Sequence, residues 1–503
     1  MTTGPGLMPL LTRALGWNYV SGIVLLLGQL AYTAVTARAI PPDAFGAYAV
    51  ALTFVQVTSY FGGATLGNAL MRAPEVDRRT AGTALTMALG VGVGLSGLLV
   101  VAAAPAGAVL HTPQLRTALY YLAWLPPLTG GSVVCSGLLR RHDRYRAAAV
   151  IDASTSLLGF VVGAGLAVSG AGVGALATAQ VVSAGGGLVL GALAGRRWLS
   201  FTHSRSARRD LLPFALNVSG QNLVHYIVAG LPMWFVASVA GPTATGYYSR
   251  AQQLVALPAY QLLTGIQRSL YPLYHRLAAD AQRLRRALTD VIVVTAGVSC
   301  LFFGLGAACG PPAAALLLGP EWKPSIHLFP LFCAVFAAQT AYAVTASAVE
   351  ALGWMRLLWL VQALLLVTTF AGLWGVGAQH LTAVVVVVFL TTLASHMAML
   401  VAPGTRSRLN GSSVAQAYVV HAAIGVGLYL VATAAVDVTK PSSAVVELTV
   451  RSLTSGAALA VLFLLRRWLP AYQALARRRR DRFPAVAAPA PSGAAPANSG
   501  GSP

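Results

Sequence analysis

The chain has 503 residues, 56% hydrophobic and 9% charged, with a formal net charge of +21. A soluble domain carries about 25% charged residues, so the composition excludes a soluble globular protein and points to an all-α polytopic membrane protein. The surplus positive charge sits mostly in short loops, where it sets topology, and no soluble basic domain is present to hold nucleic acid.

A bilayer span needs about 20 predominantly apolar residues. Such helices are expected at 15–38, 46–70, 81–104, 116–139, 147–168, 173–195, 211–240, 246–273, 287–310, 324–349, 356–376, 381–402, 414–436 and 446–465, about fourteen transmembrane helices. Arg13 precedes the first apolar stretch, which has the length of a span and not of a cleaved leader. Cys135, Cys300, Cys309 and Cys333 all fall inside apolar segments without metal-ligand spacing, and read as small core residues. The tail turns to Pro, Ala, Gly and Ser from about Pro484, a composition that cannot bury enough surface to fold.

Alternate loops take nearly all the arginines. Only Arg38, Arg116, Lys323, Lys440 and Arg451 fall on the opposite side, while Arg250 and Arg268 lie within a helix. The positive-inside rule then places both termini in the cytoplasm. Pro42, Ala44, Gly46, Tyr48 and Ala51 match Pro242, Ala244, Gly246, Tyr248 and Ala251, and "RRTAGTALTMALG" at Arg78 matches "RRALTDVIVVTAG" at Arg285. Two six-helix lobes related by a parallel repeat are expected, with a substrate site between them. The division is an N-terminal lobe at 1–195, a cytoplasmic linker at 196–210, a C-terminal lobe at 211–402, two further helices in 403–467, and a basic, then disordered tail at 468–503.

The eighth helix carries most of the chemistry. At 100° per residue, Arg250, Gln253, Gln261, Thr264, Arg268 and Tyr271 share about a quarter of its circumference. Arg250 and Arg268 stand about 27 Å apart at the helical rise. Such arginines either face a cavity or partner or snorkel to headgroups; snorkelling does not explain Gln261 and Thr264 on the same face. In the seventh helix Asn217, Gln221 and His225 point one way, as cavity groups or as interhelical hydrogen bonds. The first helix offers a weaker stripe with Asn18, Ser21 and Gln29. The second offers Val50, Thr53, Phe61, Ala64, Asn68 and Met71, mostly apolar. Asp152 and Asp290, near helix ends, either couple to a cation or pair with loop arginines. Asp43 and Asp210 are expected to cap helices, and "GPEW" at Gly319 reads as a tight turn. No Walker loop and no metal ligand set is present, so no cofactor and no metal are expected. An enzyme is not expected either, since acidic residues are scarce and no large loop exists.

The strings "ARAIPPDAFGAYAVA", "GPTATGYYSRAQQLVALP", "LYPLYHRLAADAQRLRRAL" and "LLGPEWKPS" resemble the Wzx-type oligosaccharide flippase family of the multidrug/oligosaccharidyl-lipid/polysaccharide (MOP) superfamily, over about 10–470. The resemblance implies two lobes around a central cavity that opens alternately to either side. It implies export of undecaprenyl-diphosphate-linked oligosaccharide across the bacterial plasma membrane for exopolysaccharide, O-antigen-like or teichuronic-acid-like polymers. The implied partners are membrane lipid and the polysaccharide polymerase and glycosyltransferases of the pathway. Arg250 and Arg268 would then receive the diphosphate or an acidic sugar, because arginine binds phosphate bidentately. The alternatives are a peptidoglycan lipid-precursor flippase, a multidrug/cation antiporter of the same superfamily, and a non-transporting glycan-assembly scaffold. An antiporter would be expected to carry acids in the first or seventh helix. The first has none and the seventh only Asp210, at its start.

Overall fold

The computed structural model describes residues 7–62, 66–67, 70, 76–110, 112–200, 204–277, 281–377, 380–406 and 409–482. All its regular elements are helical. In order they are α1 (Leu7–Ala39), α2 (Pro42–Gly62), α3 (Arg78–Val109), α4 (Pro113–Leu122), α5 (Leu125–Arg141), α6 (Tyr145–Val168), α7 (Val173–Gly195), α8 (Arg205–Val239), α9 (Gly241–Leu277), α10 (Ala281–Leu318), α11 (Lys323–Ala351), α12 (Met355–Val376), α13 (Leu381–Val401), α14 (Gly411–Thr439), α15 (Ala444–Leu464) and α16 (Pro470–Arg482). Among the described residues, 10 helical stretches are long and apolar enough to cross a membrane. The remaining expected spans correspond to α1, α2, α8 and α9, which are partly outside the residues with described side chains.

Several boundaries move for identifiable reasons. The fourth expected span divides at Ala123 and Trp124 into α4 and α5, where Pro126 and Pro127 can donate no helical N–H. α8 begins at Arg205, so the 196–210 linker is helical in its last third and Asp210 lies inside the helix instead of capping it. Asp43 likewise sits within the first turn of α2, where its carboxylate accepts from the Gln114 side chain of α4 at 3.0 Å. The helix start that is capped by an aspartate is that of α3: Asp77 accepts from the Thr80 N–H at 2.7 Å. The basic start of the tail is also ordered, as α16.

α10 is longer than expected because it continues through Pro311 and Pro312. A proline inside a helix leaves the carbonyl four residues earlier without its donor. For Pro312 that carbonyl belongs to Ala308, and Arg451 of α15 supplies the missing donor, Nη1 to O at 3.0 Å. Glu447, one turn earlier on α15, accepts from Arg451 Nε at 2.9 Å and balances the buried charge. The last span, α15, is therefore fastened to α10 beside its prolines.

α2 and α9 meet at their N-terminal ends, on the arginine-poor side of the molecule. Gly46 rests on the Pro242 carbonyl and Gly246 on the Pro42 carbonyl, so a methyl at either glycine would land on backbone. This reciprocal fit explains why the same Pro and Gly recur in both stretches. "GPEW" completes the junction and is more than a turn. Trp322 ends a short 3-10 helix, is fully buried, and donates its indole N–H to the Ala37 carbonyl of α1 at 2.8 Å. Its ring stands edge-on to Phe45 of α2 and to Tyr247 of α9. Arg38 donates to the Leu316 carbonyl at 2.8 Å across the same seam.

Candidate functional site

Directly beneath this junction lies a cavity of about 590 Å³, walled by α2, α8 and α9 with Phe336 of α11. The helical rise puts its farthest α2 residue, Gln56, about 21 Å from the start of that helix. The volume is in the range of ordinary ligand sites, about 300–1,000 Å³. Its lining mixes polar with apolar groups such as Leu52 and Met233 and is almost uncharged. Tyr48, Thr53 and Gln56 come from α2, Tyr226 from α8, and Ser249, Gln252, Gln253 and Tyr260 from α9. Arg250 is the one charged side chain among the described lining residues.

Arg250 is 4% exposed. Its guanidinium lies over the Phe45 ring at 3.6 Å and 5.8 Å from the Trp322 centroid. Nη1 donates to Gln253 Oε1 at 2.8 Å, while Nε has no partner. No carboxylate pairs with it among the described residues. Burying an arginine at the centre of a membrane costs at least about 2.5–3.5 kcal/mol. Desolvated stacking on an aromatic face returns about 2 kcal/mol, and a charged hydrogen bond about 1.5–3 kcal/mol. These terms nearly offset one another and leave donor capacity toward the cavity. Arg250 therefore does not snorkel. It is held as a positive charge with no counter-ion among the described residues.

Aromatic residues fix the walls around it. Trp234 of α8 stacks on Phe54 and donates its indole N–H to Thr53 Oγ1 at 2.6 Å. Gln180 of α7 donates to the Tyr48 hydroxyl at 3.1 Å. Tyr260 is 61% exposed and meets Phe336 edge-on at 6.5 Å. The first half of the chain thus contributes polar and aromatic groups that its mostly apolar sequence pattern concealed. The signal available was Thr53 and Gln56 spaced three apart on α2, with Tyr48 before them.

The expected residues divide. Arg250 and Gln253 come together at the cavity, whereas Gln261 and Thr264 are exposed farther along α9 and do not join its described lining. The side chains of Arg268, Asn217, Gln221, His225 and Asn18 lie outside the described residues. Gln29 is half-buried on α1, which packs on α6 through Tyr32 and Phe160 and adds nothing to the described cavity lining. Asp152 is taken by Arg140 at 3.0 Å. Asp290 is half-buried near the start of α10 and is engaged with a neighbour. No group of three metal-ligating side chains occurs among the described residues.

Residues 35–327 match the polysaccharide biosynthesis protein family. The chain belongs to that family. The succinoglycan biosynthesis transport protein ExoT of Rhizobium meliloti (strain 1021) is 29% identical over 317 residues, covering 62% of this chain and 63% of ExoT. The lipopolysaccharide biosynthesis protein WzxC of Escherichia coli (strain K12) is 21% identical over 327 residues, covering 63% and 65%. The matched region is thus under two thirds of either relative's length. Among solved structures, the lipid II flippase MurJ in an inward closed conformation superposes with a TM-score of 0.65 at 10% identity, covering 90% of this chain and 99% of that one. An inward-facing multidrug resistance MATE family transporter of the MOP superfamily gives 0.54 at 15% identity, covering 78% and 99%. Identities this low show the fold alone, and that fold is shared with the MOP transporters. With its membrane-length helices and bacterial transport relatives, the chain is a multi-pass protein of the bacterial plasma membrane.

Proposed function

We propose that the protein flips a lipid-diphosphate-linked oligosaccharide across the plasma membrane for cell-surface polysaccharide biosynthesis. The observation that carries this reading is Arg250: buried, unpaired with any described carboxylate, and lining a cavity otherwise walled by neutral polar, aromatic and aliphatic groups. A diphosphate supplies the missing counter-charge and can accept from the guanidinium fork. Sugar rings pack on faces such as Tyr260 and Tyr226, and their hydroxyls exchange hydrogen bonds with Gln56, Gln252 and Gln253. The undecaprenyl chain stays in the bilayer. Relatives named for succinoglycan transport and lipopolysaccharide biosynthesis support a glycan cargo.

In this proposal the two halves are parallel six-helix repeats, with α14 and α15 added, and the arginine-rich loops and both termini are cytoplasmic. The junction at Gly46 and Gly246 is then the outward seal, and the cavity loads from inside. Alternating access requires that junction to part. Arg268 gives the charged headgroup a second station nearer the cytoplasm. The likeness to the lipid II flippase fold keeps a peptidoglycan precursor as a second reading, because its diphosphate chemistry is the same and only the glycan differs. A cation antiporter is disfavoured, since the described cavity lining holds no carboxylate.

Deletion in the source bacterium should leave lipid-linked oligosaccharide on the cytoplasmic leaflet, restored by the wild-type chain but not by Arg250→Gln at equal expression. Full restoration by Arg250→Gln, or no accumulation on deletion, rejects the proposal. The composition of the accumulated glycan separates the surface-polymer reading from the peptidoglycan one.

A further inference from the structure

The second half of the chain holds a polar seam that the cavity does not use. His396 of α13 is fully buried; its Nε2 lies 2.7 Å from the Tyr418 hydroxyl of α14, and its Nδ1 has no partner. One turn along α14, His421 is 4% exposed, and neither ring nitrogen bonds to another helix, the nearest acceptor being the Ala417 carbonyl one turn back on α14. Its Nε2 faces Gly297 of α10, where the missing side chain leaves room for the ring, and Ala471 at the start of α16 closes the same spot. Ser299 of α10 and Ser395 of α13 are also buried with unpartnered hydroxyls. Polar side chains inside membrane bundles ordinarily bond across helices. Two imidazoles with three open nitrogens do not serve as that kind of fastening.

The surroundings hold few charges. On α10, Asp290 shares the Gly297 face by its seven-residue spacing, Arg285 donates to the Leu409 carbonyl, and Cys300 is half-buried. α15 contributes Glu447 and Arg451, already paired with each other. α16 brings Tyr472 and the basic run from Arg477, whose side chains lie outside the described residues. On α11 the titratable groups are Lys323, His327 and Cys333 toward its start and Tyr342 and Glu350 toward its end; α13 adds His396 alone, and α14 adds Tyr418 and His421 with Tyr429 and Asp437 farther along it. The N-terminal ends of α10 and α14, and α16 itself, all lie at the arginine-rich side, and His421 is about 15 Å along α14 from Gly411 at the helical rise.

We propose that His421, with Tyr418 and His396, forms a proton-binding site reached from the arginine-rich side and separate from the Arg250 cavity. A proton from water adds to the open ring nitrogen of neutral His421, giving an imidazolium with two N–H donors and no acceptor from any neighbouring helix in the present packing. A cation under Ala471 and Gly297 requires hydration or a counter-charge. The first turns of α14 and α16 must therefore ease away from α10 and admit water. α10 runs without a break from Gly297 to Leu316, whose carbonyl holds Arg38 at the opposite junction. The helix that packs against the proton site thus also reaches the seal. Using the proton to bias transport rests on the transport reading above; the proton site itself does not.

The test is hydrogen–deuterium exchange of the full-length protein in proteoliposomes, normalised for intrinsic exchange at each pH. Between pH 8 and pH 5.5 the wild type should show at least a threefold rise in exchange over 411–425 and 470–476. His421→Gln should flatten that response, Tyr418→Phe should move its midpoint, and Arg250→Gln should leave it unchanged. A wild type without the rise, or a His421→Gln protein that keeps it, overturns the proposal. If His421→Gln does not reconstitute, His396→Gln decides by the same readout, an unaltered midpoint counting against the site. A normal pH response in an Arg250→Gln protein that has lost export separates this site from the cavity reading.

Discussion

Val50 and Arg250 occupy corresponding places after the two Pro-Gly helix starts, and both are nearly buried, at 3% and 4% exposure. Their neighbours differ. Val50 borders a small gap with Ala47, Leu115 and Ala237, mostly aliphatic apart from Thr112, and without an aromatic face for a cation. Arg250 meets Phe45 and Trp322 face-on and Gln253 through a hydrogen bond. Similar backbone geometry therefore supports a cation in one half and forbids it in the other. The charge is placed by its aromatic setting, and the matching turns serve the junction alone.

Moving the charge is the severest way to break this comparison. Val50→Arg should cost about 3–5 kcal/mol, because it buries an uncompensated cation, and should collapse the yield of folded protein in detergent. Pairing it with Arg250→Val should rescue neither folding nor export. Arg250→Gln alone should preserve the fold and lower the affinity for undecaprenyl diphosphate about 10- to 100-fold, the equivalent of a charged hydrogen-bond pair. Next come the glycines. Gly46→Ala and Gly246→Ala should each cost about 1–3 kcal/mol by overpacking, and should open the junction equally. Spin labels at Arg38 and Val239 measure the opening; a large asymmetry between the two variants would break the reciprocity. Trp322→Phe leaves the Ala37 carbonyl without its donor and should lower stability by about 1–3 kcal/mol, read as a lower melting temperature.

The smallest effect lies away from both stretches. Thr80 donates to Asp77 and holds its carboxyl below the usual carboxylate range. A depressed carboxylate stabilises the fold above its unfolded value, about 3.9, and that contribution is lost as pH falls through the lower folded value. Asp77→Ala should thus melt slightly below wild type at pH 7, with the gap closing toward pH 3.

The sequence carried the helices because their apolar runs and loop charges are long-range, redundant signals. It carried Arg250 and Gln253 because a charge and an amide on one face of an apolar helix have few explanations. Tyr48, Tyr226, Tyr260 and Phe336 were not legible: in a membrane helix an aromatic side chain serves equally well against lipid, core or ligand. Trp322 was hidden for a related reason, since a turn motif shows where the backbone bends and not what its side chain plugs. Conversely, Gln261 and Thr264 share the Arg250 face by angle, yet the described cavity ends before them. Periodicity reports direction around a helix but not how far along it a cavity extends.

The central claim is that Arg250 is a cation waiting for a diphosphate. Direct binding of undecaprenyl diphosphate and undecaprenyl monophosphate to the wild type and Arg250→Gln in nanodiscs, by native mass spectrometry, tests it most simply. The wild type should prefer the diphosphate, and Arg250→Gln should lose at least tenfold in affinity together with that preference. Equal binding of both lipids by both proteins would contradict the account.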